Sequence, residues 1–563
     1  MDRQILPNKA ILPQEIILLI CQELGARREF ATLYRCALLG RRVASIAVEQ
    51  LYSILAVMDP FIDGKLRAAQ LWKSIILSSC EATLYPYCAY TRVLSLGSLF
   101  DCLDDIRVDS SLHEFFFDSS MQRFLVLKEG HMLSFVQGDT RPRPHPFDFP
   151  AIVSRCADSI TQYIQNLADI NGTSIALTHL EASVFPSDIL PTWIRRLGAL
   201  RSLQLQEASV LGLEAASAIS ESCPQFSELT CFHCWSETAA EDMAAFFLAL
   251  PPNSLQRFEV LSRNTLSEVT LTALNSHAKS LRVLHLRSLL QSAINGLPLL
   301  SECTALESLV IEIEVADRSG LITFSQEELA QVAKWISSCK KLRELNFNHL
   351  QDTLPILKEV LQAPDIRLEQ LVIQDYRSTS KETTSATWGA LGHQDQLESL
   401  TIASQDSFLD GLVLSHHPEL IDSICRLSKL VNLNLMQAWV SCADICRITT
   451  ALPCLEELSF GGELIDEEVL KHLSKLPKLV LLSVNATTCF TFDNLMGFAQ
   501  MLNQVTNRGI KVDLLNQLYE VKLTEEAETI LNQYFAGYLN GRIAISYPDD
   551  PEELHEADFS DSD

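Results

Sequence analysis

A six-residue pattern, L-x-x-L-x-L with conservative replacements, recurs along the middle of the chain and constrains the fold more than any other feature. It starts at twelve positions: Leu177, Leu200, Phe226, Leu255, Leu281, Leu306, Leu342, Leu368, Leu397, Leu430, Leu455 and Leu479. Successive starts are 23 to 36 residues apart. Alternating apolar residues are typical of a short strand with one buried face. A recurrence at this interval is typical of stacked repeats.

Segments with helical periodicity separate the predicted strands. In SQEELAQVAKWISSCKKL, Ser325 and Glu328 have the spacing of a capping box. The apolar residues of this segment fall on one helix face: Leu329, Val332, Trp335, Ile336 and Cys339. Residues 174–505 resemble leucine-rich repeats in count and spacing. The resemblance implies an α/β solenoid, a curved horseshoe of short parallel strands and helices in which stacking buries each unit's apolar side.

The flanking segments differ from the repeats. Residues 1–55 are predicted to form a small helical module, and residues 56–173 a connecting helical region. That region contains a possible degenerate first strand in TRVLSLGSL and a Pro-rich surface loop at 137–150. Residues 506–548 are predicted to cap the array. Residues 549–563 carry eight acidic side chains and are predicted to be a disordered tail.

The N-terminal module carries more apolar surface than its size explains. LPQEIILLICQEL is predicted to be a helix with Pro13 in its first turn, and FATLYRCALLGRRVASIAVEQLYSIL a second helix. The first helix is apolar over more than half of its circumference. A module of this size is marginal alone, so its surplus apolar surface indicates docking.

The same residues resemble an F-box: a Leu-Pro, an acid two positions after the proline, spaced apolar residues and a CALLGRR segment. Followed by leucine-rich repeats, they resemble the fungal-type F-box/LRR substrate receptors of ubiquitin ligases. The resemblance implies binding of a Skp-type adaptor, which bridges to a cullin–RING ligase, while the repeats hold a protein substrate. The adaptor contacts that it implies are Leu12, Pro13, Ile16, Ile20 and Leu24. The sequence departs from the family at Val43, where an aromatic residue is common nearby.

An alternative interpretation requires no ligase. The N-terminal helices would then be a cap that shields the first repeat, and the chain a leucine-rich-repeat scaffold for protein–protein interaction.

Side chains between the inward leucines define the exposed face of the predicted sheet, along which repeat arrays bind partners. The candidate substrate contacts there are Arg257, His285, Arg287, Asn346, Asn348, Asn432 and Asn434. The first three form a basic spot. It is predicted to suit an acidic or phosphorylated segment, because arginine pairs carboxylates and phosphates bidentately.

Charge and cysteine usage exclude several classes of function. The net charge of −27, from 71 acids and 44 bases, argues against nucleic acid and against anionic lipid surfaces. No apolar run is long enough to span a bilayer. The sixteen cysteines are scattered through apolar strings, which is typical of buried thiols in a reducing compartment. We therefore expect a cytoplasmic or nuclear protein, or one found in both.

The strongest metal-like motif is CFHCWSE, with Cys231, His233 and Cys234. Zinc requires four ligands, and this motif supplies too few. The repeat explains both cysteines better: Cys231 takes the third inward strand position, and Cys234 the position where leucine-rich repeats prefer Asn or Cys. No phosphate-binding loop, nucleophile elbow or metalloprotease motif is present. We expect no catalytic activity, metal or cofactor.

Overall fold

The computed structural model describes residues 12–54, 64–128, 146–182, 188–314, 324–376, 380–403, 416–516 and 522–547. The chain divides into two compact units, Met1–Thr265 and Leu266–Asp563. Most of the predicted loop at 137–150 and all of the predicted tail at 549–563 lie outside the described residues. Among the described helices, none has both the length and the apolar character needed to cross a membrane.

The first unit begins with helices and continues with alternating strands and helices. Its helices are α1 (Gln14–Ala26), α2 (Phe30–Ala37), α3 (Arg41–Ile54), α4 (Lys65–Ser78), α5 (Tyr87–Tyr90), α6 (Leu96–Val108), α7 (Ser110–Phe116), α8 (Phe149–Asn171), α9 (Leu190–Arg196), α10 (Leu213–Ser222) and α11 (Ala239–Ala249). Its strands are β1 (Val93–Ser95), β2 (His179–Ala182), β3 (Ser202–Glu207), β4 (Glu228–His233) and β5 (Arg257–Val260). The five strands pair in chain order, all parallel.

The second unit repeats the strand–helix alternation. Its strands are β6 (Val283–Leu289), β7 (Ser308–Ile313), β8 (Glu344–Asn348), β9 (Gln370–Gln374), β10 (Ser399–Ala403), β11 (Asn432–Trp439), β12 (Glu457–Ile465), β13 (Leu481–Thr488), β14 (Lys511–Asn516) and β15 (Arg542–Ser546). Its helices are α12 (Glu268–Leu274), α13 (Gln291–Asn295), α14 (Gln326–Ser337), α15 (Thr353–Gln362), α16 (Lys381–Leu391), α17 (Pro418–Ile424), α18 (Cys442–Ala451), α19 (Glu468–Leu473), α20 (Phe492–Met501) and α21 (Glu525–Tyr534). These strands also pair in parallel and in chain order.

The leucine-rich-repeat fold is confirmed. Each of the twelve predicted motifs forms a strand, β2 to β13, and each strand begins two residues after the first apolar residue of its motif. The motif leucines are the core: Leu342, Leu345 and Phe347, for example, are at most 1% exposed. The degenerate strand expected in TRVLSLGSL is β1, which pairs in parallel with β2.

The C-terminal region differs from a simple cap. Residues 511–516 and 542–546 add β14 and β15 to the sheet of the second unit, in parallel and in register with β13. The motif search missed them because the spaced leucines are partly replaced: Val512 and Leu514 take the inward positions of β14, and Gly509 stands two residues before the strand, where the other motifs have an apolar residue.

The second predicted helix of the N-terminal module is also corrected. It is two helices, α2 and α3, which are separated at Leu38–Gly40. Gly40 has φ +151°, a conformation that side-chain-bearing residues rarely adopt. Apolar periodicity continues on both sides of this turn, so the pattern alone did not show the break.

The capping box at the start of α14 is present and yields a stability prediction. Ser325 N donates to Glu328 Oε2 at 2.8 Å, and Glu328 N donates to Ser325 Oγ at 3.3 Å. Loss of such a cap costs about 1 kcal/mol. Ser325→Ala should therefore lower the free energy of urea unfolding by about that amount. Gln331→Ala, on the exposed side of the same helix, should leave it nearly unchanged.

Candidate functional site

The N-terminal module, α1 to α3, has a small core of its own. Ile17, Cys21, Leu33, Ile46 and Ala47 are at most 8% exposed and form one cluster. The cluster fixes how α1 is oriented, with the Ile17 and Cys21 side inward. The opposite side of α1 is left outside this core.

An exposed apolar stripe runs along α1 and the residues directly before it, consisting of Leu12, Ile16, Leu19 and Ile20. Their exposed fractions are 54%, 41%, 60% and 44%. Spacings of three and four residues place Ile16, Leu19 and Ile20 on one face of α1, and Leu12 lies two residues before the helix begins. Three of the predicted adaptor contacts, Leu12, Ile16 and Ile20, belong to the stripe, and Pro13 is exposed at its start. Leu19 joins them.

The fifth predicted contact, Leu24, has a different environment. It is half-buried and packs against the module core, because it lies on the same side of α1 as Ile17 and Cys21. Val43, at the position where the family commonly has an aromatic residue nearby, also packs against this core. The departure at Val43 therefore falls on a position that contributes to the packing of the module.

Sequence reasoning missed two exposed leucines in the turn between α2 and α3. Leu38 is 69% exposed and Leu39 is 76% exposed. Two consecutive leucines directly before Gly40 were the available signal, since a turn cannot bury both. They add to the apolar surface of a module whose own core is small.

The module is tied to the connecting region by an aromatic contact. Tyr52 of α3 stacks on Tyr87 of α5, with ring centroids 4.5 Å apart. Its hydroxyl also lies 2.9 Å from Ser74 Oγ of α4. Burial raises the pKa of the Tyr52 hydroxyl, so it stays protonated and able to donate. The module is thus held against the helices that precede the repeats.

The predicted basic spot is largely neutralised by acids. In the first unit, Arg257 Nη1 lies 2.6 Å from Glu259 Oε1, two residues along the same strand face. In the second unit, Arg287 Nη1 lies 3.6 Å from Glu312 Oε2. His285 Nε2 lies 2.9 Å from Ser308 Oγ. Each predicted basic group therefore already has a partner on its own sheet.

The four asparagines on the strand face of the second unit have different environments. Asn348 is only 7% exposed, and its Nδ2 donates to Glu312 Oε2 at 3.2 Å. Asn346 and Asn432 are half-buried, and Asn434 is exposed. Asn434 Oδ1 accepts the Met436 amide at 3.0 Å. Asn348 is thus a structural contact, while the other three leave surface for a partner.

The thiols of the metal-like motif are core residues. Cys231 and Cys234 are 0% exposed. Burial raises the pKa of the Cys234 thiol to about 12 and that of Cys231 well above its ordinary value. Both thiols therefore pack as small apolar side chains of the repeat core.

No family model and no curated protein matches the chain. Among solved structures, it is similar to a chain in the crystal structure of the Rad7 and Elc1 complex in yeast. The identity is 15%, the match covers 59% of this chain and 88% of that one, and the TM-score is 0.38. It is also similar to a chain of the TLR13–ssRNA13 complex. There the identity is again 15%, the match covers 68% of this chain and 51% of that one, about half its length, and the TM-score is 0.33.

Proposed function

We propose that this chain is a non-catalytic substrate-recognition subunit of an SCF-type ubiquitin ligase. Its N-terminal module would bind a Skp-type adaptor, and the exposed strand faces of its repeats would bind a protein substrate. The observation that carries the proposal is the apolar stripe of α1 on a module too small to need it. Exposed contiguous apolar surface is characteristic of protein interaction sites.

The mechanism is one of proximity. A subunit that holds a substrate beside a charged ubiquitin-conjugating enzyme makes transfer effectively intramolecular, which raises its rate without any catalytic group on the subunit. The contact of α3 with α4 and α5 supports this role, because a fixed module transmits a fixed geometry. The proposal includes a cytoplasmic or nuclear location, where such ligases operate.

Co-elution tests the proposal directly. The full chain should co-elute with a purified Skp-type adaptor in size-exclusion chromatography. Failure to co-elute would favour the alternative, a leucine-rich-repeat scaffold without ligase association.

A further inference from the structure

Two aromatic side chains are exposed at the carboxyl end of β4 in the first unit. Phe232 is 40% exposed, and Trp235 is 56% exposed. The chain has six tryptophans, all within the described residues. Trp72, Trp193, Trp335 and Trp388 are at most 2% exposed, and Trp439 is half-buried. Exposed tryptophan and other aromatic side chains are typical of interaction surfaces.

The strand register places carboxylates on the same strand face as Phe232. Glu181 of β2, Gln204 of β3, Thr230 of β4 and Glu259 of β5 are register partners, so they form one row across the face. Thr230 Oγ1 donates to Glu259 Oε2 at 3.3 Å. Because side chains two residues apart on a strand share a face, Phe232 lies on the same face as Thr230.

A second contact brings an acid to the tryptophan. The Trp235 amide donates to Glu207 Oε1 at 3.4 Å, and Glu207 lies at the end of β3. Glu207 therefore lies next to the backbone of Trp235, and the Thr230–Glu259 contact lies on the strand face that carries Phe232.

The charge of this face is negative. Glu181, Glu228 and Glu259 are half-buried on it, against one arginine, Arg257. Arg257 is paired with Glu259 and is the register partner of Glu228. Neither Glu181 nor Glu228 has an ion-pair partner among the residues that the structure describes. A partly buried carboxylate favours a cation more strongly than one in open water.

We propose that the exposed face of β2–β5 binds an extended protein segment that carries arginine or lysine side chains. Resting on the proposed function, this identifies the substrate class as a protein with an exposed basic segment. A guanidinium or ammonium group over Trp235 gains cation–π attraction, while neighbouring cations pair with Glu181 and Glu228. An apolar segment would desolvate both carboxylates without a partner, and an acidic segment would be repelled.

Trp235 provides its own readout in the full chain. Because it is the most exposed of the six tryptophans, acrylamide quenching of the intrinsic fluorescence reports mainly on it. A short peptide of alternating arginine and glycine should protect this fluorescence from quenching. Glutamate–glycine and glutamine–glycine peptides of the same length should not. Equal protection by all three peptides would overturn the proposal.

Substitutions distinguish peptide binding at this face from nonspecific attraction to the negative charge of the whole chain. Glu181→Gln combined with Glu228→Gln should weaken binding of fluorescein-labelled arginine–glycine peptide about tenfold, as should Trp235→Ala. Glu214→Gln combined with Glu241→Gln makes the same charge change on exposed positions of α10 and α11 and should leave binding nearly unchanged. Equal weakening by both glutamate pairs would overturn the proposal.

The proposed function is tested independently on the same variants. Trp235→Ala and the face glutamate pair lie outside α1 to α3, so both should still co-elute with the adaptor. Peptide binding with the expected pattern supports the basic-segment site even if the adaptor does not bind. If the selective binding of the arginine–glycine peptide is not observed while the adaptor still binds, the basic-segment site is contradicted and the proposed ligase role is not.

Discussion

Replacing Ile16 by aspartate is expected to abolish capture of a purified Skp-type adaptor by the full chain, and Ile20→Asp should do the same. Both residues belong to the apolar stripe, with exposed fractions of 41% and 44%. A docked partner would bury the new carboxylate without a counter-charge, which costs several kcal/mol. A loss of roughly 3 kcal/mol already weakens binding by more than about a hundredfold.

The fold should survive these changes. Ile16 lies in the first turn of α1, where an acidic side chain interacts favourably with the helix dipole. Neither side chain belongs to the module core. Circular dichroism of the variants should therefore match that of the unaltered chain.

Gln22→Asp is the matched control for the adaptor experiment. It adds the same charge to the same helix, but Gln22 is exposed about 120° around α1 from Ile16. It should capture the adaptor normally. Undiminished capture by both stripe variants would contradict the F-box assignment. Equal loss with Gln22→Asp would show an effect of charge alone.

The repeat was predictable because the same physical signal occurs twelve times. Each motif places an apolar residue two positions before its strand and two more inside it, so an error at one unit is corrected by its neighbours. At the end of the array this redundancy is lost. Gly509 and Val512 stand where two motif leucines would be, and β14 and β15 were therefore assigned to a cap.

Side-chain partners were less accessible to sequence reasoning. The pairing of Arg257 with Glu259 could have been derived, because alternation puts residues i and i+2 of a strand on one face. The pairing of Arg287 with Glu312 could not, since it depends on the register of β6 with β7. The burial of Asn348 depends on Glu312 in the same way.

The predicted adaptor contacts coincide with the apolar stripe only in part, again because contacts between elements cannot be derived from the sequence pattern. Helical periodicity places Leu12, Ile16 and Ile20 on one face from sequence alone. It does not tell which of two apolar faces meets the core when more than half of the circumference is apolar. Leu24 was assigned to the docking face and Leu19 was left out, because only the packing of α3 on α1 distinguishes them.

Leu345→Ala and Leu371→Ala should each lower the free energy of urea unfolding by roughly 2–5 kcal/mol. Both side chains are 0% exposed. Truncation removes their transfer free energy and leaves a cavity that β8 and β9 cannot close without losing their ladder bonds. Glu344→Ala and Gln370→Ala are the matched controls, because each precedes one of these leucines and is exposed. They should change the free energy by no more than about 0.5 kcal/mol.

The two pairs also allow a test of register, because Leu345 and Leu371 are Cα partners in adjacent strands, as are Glu344 and Gln370. Neighbouring inward side chains share a packing environment, so the effects of the two leucine truncations should deviate from additivity by about 0.5–3 kcal/mol. The side chains of the outward pair, Glu344 and Gln370, are exposed to solvent, so the effects of their truncations should be nearly additive. A double-mutant cycle on each pair measures both values. Equal losses for the inward and outward single variants would contradict the strand register, since a shift of one residue exchanges the two faces.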